Sequence, residues 1–461
     1  MFQRIRRAVV AGLTLVLTIG LGALPAQADP DILAQLKGVP GLTVVSESPT
    51  PPAGYRFFLL SLTQPVDHRH PNGPTFQQRF QLLHKSVDRP MVLHTSGYNV
   101  QTTPFRSEPT RLVDGNQIST EQRFFSPSRP DPANWRDLDI WQAATDHHLI
   151  VQALKPLYHG KWISTGASKG GMTSVYHRRF YPRDVDGVVA YVAPNDPLNS
   201  EDSAYDRFFA TVGDASCRQA LQDVQAEALR RRSALVPMYA SWAASEGRAF
   251  DQVLGNVDKA FEMTVLDTEW AFWQYSTAAD CVNVPARSAS TQEIYDFFNR
   301  IDDWSFYTDQ GVLPYAPYYY QAATQLGWPT PRFDYLRGLT HYPPRTFYAA
   351  NSNLPPSLRS RHDPWPMLDV DFWVRTQSSQ MLFVYGANDP WGAEPFFPSR
   401  HDSYKYIAPG SNHGANISAL VPAERDAATK TLLRWAGVST TASTFAADNG
   451  FFPEDRPRRP L

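Results

Sequence analysis

The sequence predicts an α/β fold: a doubly wound, mostly parallel sheet with an inserted helical cap domain. Three observations lead to this prediction: short apolar runs that precede helical patterns, a long middle region with helical spacing, and a serine in a glycine-rich turn between a strand and a helix. The 461 residues, with 42% apolar and 19% charged side chains, have the composition of a globular protein. The 13% aromatic content and the 39 prolines favour long ordered loops and a recessed binding site.

The predicted strands are of two kinds. Residues 57–60 and 76–83 are β-rich runs separated by a polar stretch, and we predict that they form antiparallel strands. Five later runs are short and mostly apolar, which is typical of parallel strands that are buried on both faces. These runs are residues 91–94, 162–164, 188–192, 381–385 and 404–407.

The middle of the chain shows helical rather than strand patterns. Residues 218–249 and 251–275 carry helical apolar spacing with few helix-breaking residues. We therefore predict a helical cap inserted between two strands of the sheet. The predicted division is residues 29–195 for the first part of the sheet domain, 196–375 for the cap, 376–440 for the second part, and 441–461 for a flexible tail.

Residues 1–28 have the pattern of a signal peptide. A basic start is followed by an apolar stretch of about 17 residues, and Ala-Gln-Ala at 26–28 fits a cleavage site. A membrane anchor is the alternative, but the stretch is short for a bilayer span, and no later segment is long and apolar enough to span a bilayer. We expect a secreted, extracellular chain that starts near Asp29 and has no membrane attachment. Without residues 1–28 the formal charge moves from −2 to −5, which argues against a nucleic-acid partner.

The two cysteines, Cys217 and Cys281, both lie in the part of the chain that is predicted to be exported. An oxidising compartment favours a disulfide between them. A catalytic thiol is the alternative, but neither cysteine has a neighbouring motif that would depress its pKa. We therefore predict a disulfide that closes a long loop within the cap.

The strongest local motif is Gly-Ala-Ser-Lys-Gly at residues 166–170. This G-x-S-x-G sequence follows a predicted strand and opens a predicted helix at 172–180, which is the setting of a nucleophile elbow. A plain glycine-rich turn is the alternative, since the motif alone has modest specificity. We predict that Ser168 is the nucleophile.

Two further residues complete a hydrolytic triad in the order Ser, Asp, His. Asp389 follows the predicted strand at 381–385, and His413 follows the one at 404–407. This is the chain order of α/β-hydrolase triads, and each member follows a predicted parallel strand, where such sheets place their sites. An Asn-Asp-Pro turn is the alternative role of Asp389. We predict His413 as the general base and Asp389 as the acid that orients it.

The predicted oxyanion hole consists of backbone amides. One is the N–H of Lys169, and the second comes from the loop after the strand at 91–94, at Gly97 or Tyr98. The Lys169 side chain is expected to be solvated or structural rather than catalytic. The sequence contains no H-E-x-x-H motif, no spaced Cys/His set and no nucleotide-binding loop, so we expect no metal and no cofactor.

Several stretches resemble one family of peptidases. They are Gln-Pro-Val-Asp-His at 64–68, His-Thr-Ser-Gly-Tyr at 94–98, Glu-Gln-Arg-Phe at 121–124, Gly-Ala-Ser-Lys-Gly-Gly at 166–171 and Glu-Asp-Ser-Ala-Tyr at 201–205. Together they resemble the secreted tripeptidyl and prolyl aminopeptidases of Streptomyces, which are distantly related to lysosomal prolyl carboxypeptidase. The resemblance implies a serine exopeptidase that releases tri- or tetrapeptides, often after proline, from substrates with free N-termini. An esterase or lipase of the same fold is the alternative, and a non-catalytic extracellular binding protein is a third.

An exopeptidase needs carboxylates for the substrate's ammonium group and a flat apolar pocket for proline. The candidates for the carboxylates, which follow a sheet strand and lead into the cap, are Glu201, Asp202 and Asp206. The candidates for the pocket are Trp273 and Trp304. Glu121 and Arg123 are predicted either to form a buried salt bridge with each other or to contact substrate.

Overall fold

The computed structural model describes residues 31–439; the predicted signal peptide at 1–28 and the predicted tail at 441–461 lie outside these residues. Nine strands are present in the described part: β1 (Leu42–Glu47), β2 (Arg56–Pro65), β3 (Thr75–His84), β4 (Met91–Thr95), β5 (Asn116–Thr120), β6 (Trp162–Ala167), β7 (Gly187–Tyr191), β8 (Met381–Gly386) and β9 (Tyr404–Ala408). They form one sheet in the order β1-β2-β3-β5-β4-β6-β7-β8-β9.

The sheet is antiparallel at one end and parallel at the other. Strands β1, β2, β3 and β5 pair antiparallel, whereas β5, β4, β6, β7, β8 and β9 pair parallel. Each of the seven predicted runs coincides with a strand of this sheet, with Val192 one residue beyond β7, and the predicted doubly wound, mostly parallel α/β fold is confirmed. Strands β1 and β5 were not predicted. β5 reads Asn-Gln-Ile-Ser-Thr and contains a single aliphatic residue, yet all five residues are buried because their polar side chains find hydrogen-bond partners.

The helices alternate with the strands and then dominate the middle of the chain. They are α1 (Ile32–Lys37), α2 (Glu108–Val113), α3 (Ile140–Leu154), α4 (Lys169–Phe180), α5 (Ser203–Thr211), α6 (Ala215–Arg230), α7 (Arg232–Ser245), α8 (Val257–Tyr275), α9 (Thr291–Asp302), α10 (Asp309–Val312), α11 (Ala316–Gln321), α12 (Pro344–Phe347), α13 (Trp365–Thr376) and α14 (Pro422–Trp435). Between residues 31 and 439, no helix combines the length and apolar character needed to cross a membrane.

Helices cover both faces of the sheet. In β8, Met381 and Phe383 pack into the core beneath α3, α4 and α13, whereas Leu382 and Val384 pack into the core beneath α2 and α14. This alternation follows from the two-residue period of a strand, and it explains why β8 is apolar throughout. The sheet is therefore the middle layer of a three-layer unit.

Between β7 and β8 the helices α5 to α12 build a second core. It is centred on α8 and contains large aromatic side chains such as Phe261, Phe272 and Trp304. A disulfide joins Cys217 in α6 to Cys281 in a short 3-10 turn, at a sequence separation of 64. Helix α13 packs against α4 of the sheet layer. The domain boundaries drawn from the sequence at 195 and 375 stay predictions.

Candidate active site

Ser168 occupies a strained turn between β6 and α4. Its φ of 55° and ψ of −128° lie in a region of backbone conformation that residues other than glycine rarely adopt. The turn is tight because the chain on both sides is packed closely: a Cβ on Gly170 would lie 2.2 Å from the carbonyl oxygen of Thr95. Glycine is therefore required at 170. This turn places the hydroxyl of Ser168 at the first turn of α4, as a nucleophile elbow does.

Asp389 and His413 form a buried pair. Oδ2 of Asp389 lies 2.7 Å from Nδ1 of His413, and both residues are at most 2% exposed. The backbone N–H of His413 donates to the carbonyl of Gln274 at 3.1 Å, which ties the histidine loop to α8. When Nδ1 donates to the carboxylate, Nε2 is left as the acceptor. Within residues 31–439, Nε2 has no hydrogen-bond partner, so it is free to take a proton.

The sheet brings the three residues to one edge. Ser168 directly follows β6, Asp389 follows β8 and His413 follows β9, and the strands β6, β7, β8 and β9 are consecutive neighbours in the sheet. Parallel strands lie about 4.8 Å apart, so the carboxyl ends of these four meet within a narrow space. The arrangement has a hydroxyl, an oriented imidazole and a buried carboxylate, which are the groups that acyl transfer requires.

The loop after β4 packs directly on this turn. Gly97 has a φ of +75°, and a Cβ there would lie 2.6 Å from the backbone nitrogen of Gly170. The backbone N–H of Tyr98 donates to Oγ of Ser96 at 3.2 Å, while the Tyr98 side chain interacts with Ser168. Burial raises the pKa of the Tyr98 phenol, which keeps it protonated as a donor. Of the two predicted amides in this loop, that of Gly97 is therefore the better candidate.

The Lys169 side chain is buried, which excludes the solvated role that was one of its two predicted roles. Its Nζ donates to the carbonyl of Gly97 at 2.6 Å and lies 5.6 Å from the ring centre of Tyr98. Burial lowers the pKa of this ammonium to about 7. The side chain thus fastens the loop after β4 to the start of α4.

The predicted pair of Glu121 with Arg123 is wrong, because each has a different partner. Oε2 of Glu121 accepts from Arg79 at 2.5 Å. Arg123 donates from Nε and Nη2 to the two carboxylate oxygens of Asp146, both at 2.7 Å, and Nε2 of His68 also lies 2.7 Å from that carboxylate. Burial alone would raise the pKa of Asp146, but the guanidinium holds it below its ordinary value. Glu121 and Arg123 are both fully buried, so each pair contributes to the packing of the fold.

An aromatic cavity of about 420 Å³ lies between the cap helices and the turn that carries Trp391. Trp391 on its wall has a ring centre 6.4 Å from that of His413, and Tyr318 has a ring centre 5.6 Å from that of Tyr98. These two ring contacts place part of the cavity wall next to His413 and Tyr98, and the rest of the wall is formed by the cap. Its wall contains Trp270, Gln274, Tyr275, Phe306, Tyr307, Tyr315, Tyr319, Trp328 and Tyr348 as well.

Trp273 and Trp304, which were predicted to line the substrate pocket, do not do so. Trp273 is fully buried and Trp304 is 1% exposed, and both belong to the core of the cap. For Trp273 the reason is its angular position on α8. Trp270 and Trp273 both lie on α8, but three residues rotate the helix by about 300°, and only Trp270 lines the cavity.

The three predicted carboxylates line a different cavity, between α5 and the segment 330–345. Oδ1 of Asp202 accepts from the N–H of Thr330 at 3.0 Å, and Asp206 pairs with Arg332 at 3.0 Å. Glu201 is exposed at the cavity rim. The structure does not bring these residues to the aromatic cavity.

Sequence reasoning missed the acidic residues that do line the aromatic cavity. Asp267 lies on α8, and Asp302 and Asp303 lie at the end of α9. A helical projection of α8 contains the relevant pattern, because Asp267, Ala271 and Gln274 share one face at spacings of four and seven residues.

Comparison with known proteins extends over nearly the whole chain. The family model described as PS-10 peptidase S37 matches residues 26–449. The chain is 51% identical over 451 residues to the prolyl tri/tetrapeptidyl aminopeptidase of Streptomyces mobaraensis, with 95% of this chain and 92% of the relative covered. Proline iminopeptidase of Mycobacterium smegmatis, a solved structure, gives a TM-score of 0.39 at 13% identity and covers 82% of this chain and 98% of its own. Brefeldin A esterase gives a TM-score of 0.31 at 13% identity, with coverage of 90% and 88%.

Proposed function

The chain belongs to the PS-10 peptidase S37 family and is a serine peptidase, and we propose that it releases tri- or tetrapeptides that end in proline from free N-termini. The observation that carries this proposal is the 51% identity to a prolyl tri/tetrapeptidyl aminopeptidase over 95% of the chain. At that level of identity over that length, fold and site are expected to be shared. The geometry of the site supports the same activity.

We propose that Ser168, His413 and Asp389 carry the reaction. Nε2 of His413 takes the hydroxyl proton as Oγ of Ser168 attacks the scissile carbonyl carbon, and Asp389 stabilises the imidazolium that results. The proton then passes to the leaving amine, the C–N bond breaks and an acyl-enzyme remains. Water, deprotonated by the same imidazole, releases the peptide and restores the serine.

The oxyanion that forms during attack needs donors at the start of α4. The N–H of Lys169 and that of Gly97 are proposed for this role, since Gly97 packs against the first turn of the helix. The Nζ of Lys169 holds the carbonyl of Gly97, so it fixes the direction of the loop that carries the second amide. Lys169 thus acts as a positioning residue through its side chain.

The aromatic cavity suits a proline next to the cleaved bond. A proline ring is flat and apolar and has no N–H to satisfy, so it packs well on aromatic faces. Trp391 and Tyr318 flank the cavity where it meets His413 and Tyr98.

Secretion is proposed on two grounds. The pattern of residues 1–28 is that of a cleavable signal peptide. The structure also contains a disulfide between Cys217 and Cys281, and disulfides persist mainly in oxidising compartments. The test is N-terminal sequencing of the protein from culture medium, for which we expect a start near Asp29.

The test of the activity is a panel of prolyl p-nitroanilides with two, three and four residues, each with a free or an acetylated N-terminus, plus p-nitrophenyl butyrate. We expect release of p-nitroaniline from free tri- or tetrapeptides and little from acetylated ones. Ser168→Ala should lose at least 10³-fold in kcat/KM. Ser418→Ala, which replaces an exposed serine near the same sheet edge, is the matched control and should retain full activity. Turnover of the ester without cleavage of any peptide would overturn the peptidase specificity.

A further inference from the structure

The aromatic cavity carries three carboxylates, one on α8 and two at the end of α9. Asp267, Asp302 and Asp303 line it, and the one guanidinium on its wall is that of Arg248. With three carboxylates and one guanidinium, the charged side chains described on this wall carry a net negative charge. A cavity with excess carboxylate favours a ligand that carries a positive group.

Asp267 is held in place by two tyrosines. Its Oδ1 accepts a hydrogen bond of 2.5 Å from the Tyr348 hydroxyl, and the Tyr307 side chain also bonds to it. Burial raises the pKa of Asp267, and the two hydroxyls oppose that rise. A nearby ammonium group would stabilise the carboxylate further, because opposite charges attract strongly where water is excluded. Oδ2 of Asp302, close by on α9, accepts from Oγ1 of Thr268.

Three tryptophans on the cavity wall have indole N–H groups without an acceptor among residues 31–439. They are Trp270, Trp328 and Trp391. Trp270 is 3% exposed and Trp328 is 8% exposed, so their donors are largely shielded from bulk water. A buried donor without a partner costs free energy, and such groups are commonly satisfied by a ligand. The carbonyl oxygens of a peptide would be suitable acceptors.

Helix α8 sets the distance between the two ends of the cavity. The carbonyl of Gln274 contacts the backbone N–H of His413, and Asp267 lies seven residues earlier on the same helical face. At 1.5 Å per residue this separation is about 10 Å along the helix axis. An extended peptide advances about 3.3 Å per residue, so about 10 Å corresponds to three residues. A peptide of two residues would fall short of this separation by about 3 Å, and a peptide of four residues would exceed it.

We propose that the N-terminal ammonium group of the substrate binds to Asp267, assisted by Asp302, and that α8 thereby limits the preferred product to a tripeptide. This inference rests on the proposed function, since it concerns the anchor of an exopeptidase. It replaces the earlier candidates Glu201 and Asp202, which line another cavity. Asp267 contacts the end of the substrate that does not react, so it selects substrates rather than taking part in bond cleavage.

The test compares kcat/KM for Ala-Ala-Pro-p-nitroanilide with a free and with an acetylated N-terminus. The enzymes are the wild type, Asp267→Asn, Asp302→Asn, the rival Asp202→Asn and the control Asp251→Asn, which changes an exposed carboxylate of the same cap. We expect Asp267→Asn to lose about 100-fold on the free peptide with no loss on the acetylated one, since a buried charge pair is worth this much or more. Asp302→Asn should lose less, and Asp251→Asn should match the wild type.

The results of this test distinguish failure of the Asp267 anchor from failure of the proposed function on which it rests. If the wild type cleaves the free peptide and Asp267→Asn keeps the wild-type preference for it, the anchor is wrong and the function stands. If Asp202→Asn alone loses that preference, the anchor lies in the other cavity. If the wild type cleaves no prolyl peptide, the proposed function fails and the anchor with it.

A measurement on the wild type alone tests the length argument and does not depend on the folding of any variant. Free Ala-Pro-, Ala-Ala-Pro- and Ala-Ala-Ala-Pro-p-nitroanilides are compared under one condition. We expect kcat/KM to peak at three residues and to fall at least tenfold at two and at four. Equal values across the series, or a peak at two or four residues, would overturn the assignment of Asp267.

Discussion

Asp146 on α3 is predicted to make a large contribution to stability. Its carboxylate is fully buried and accepts two hydrogen bonds of 2.7 Å from Arg123 and one contact of 2.7 Å from His68. Arg123 is itself fully buried, and its Nη1 also donates to the carbonyl oxygens of Val66 and Asp137. Asp146→Ala would leave this guanidinium buried without an anion. Removing one partner from such a pair costs about 3 to 5 kcal/mol.

The assay is urea unfolding at pH 7 followed by tryptophan fluorescence, with the free energy of unfolding obtained by linear extrapolation. Asp88→Ala is the matched control, because Asp88 pairs with His159 at 2.9 Å but both side chains are largely exposed. We expect no measurable change for the control, since exposed pairs contribute little. A loss below about 1 kcal/mol for Asp146→Ala would refute the reasoning.

A double variant isolates the cause of that loss. Arg123→Met combined with Asp146→Leu removes both charges and fills similar volume, so it should recover at least half of the stability that Asp146→Ala loses. If the double variant is no more stable than Asp146→Ala, the loss comes from packing or from the unpaired carbonyls rather than from an uncompensated charge.

Three further predictions follow from single contacts. Replacing Cys217 and Cys281 by serine opens a loop of 64 residues, which should lower the unfolding free energy of the cap by about 4 kcal/mol in calorimetry; an unchanged transition would contradict this. Burial raises the pKa of Glu269 to about 8, so its carboxyl proton is bound more tightly in the folded state and stability should fall as pH rises from 4.5 to 8. In thermal melts, Glu269→Gln should flatten this dependence of stability on pH. Equal pH slopes for the variant and the wild type would refute the prediction. Gly170→Ala places a Cβ 2.2 Å from the Thr95 carbonyl oxygen, so kcat should fall at least tenfold, and wild-type kcat would show that the turn adapts.

The sheet could be predicted, and the residues proposed as catalytic could be placed at its edge, because their signals are local. Ser168 directly follows β6, whereas Asp389 and His413 lie three and five residues beyond the ends of β8 and β9, and the glycine at 170 marks the tight turn beside the serine. β5 escaped prediction because its buried side chains are polar, and polar residues are tolerated inside only where partners from distant parts of the chain satisfy them.

The cap pocket could not be predicted for a different reason. Which side of α8 meets a cavity depends on how the other cap helices pack, and the sequence shows only that Trp270 and Trp273 are both aromatic. The partners of Glu121 and Arg123 posed the same problem. Asp146 lies on α3, and its distance from Arg123 is set by the fold rather than by spacing in the chain.

The insertion of the cap between β7 and β8 has a consequence for biosynthesis. The two strands pair through Val188 and Met381, which are about 190 residues apart in the chain. At 5 to 20 residues per second, a ribosome needs about 10 to 40 s to make the intervening segment. During that interval the completed edge of β7, apolar on both faces, has no neighbour to pair with. The nascent chain therefore passes through a stage in which it is prone to aggregate, and its yield should depend on chaperones that shield this edge until β8 emerges.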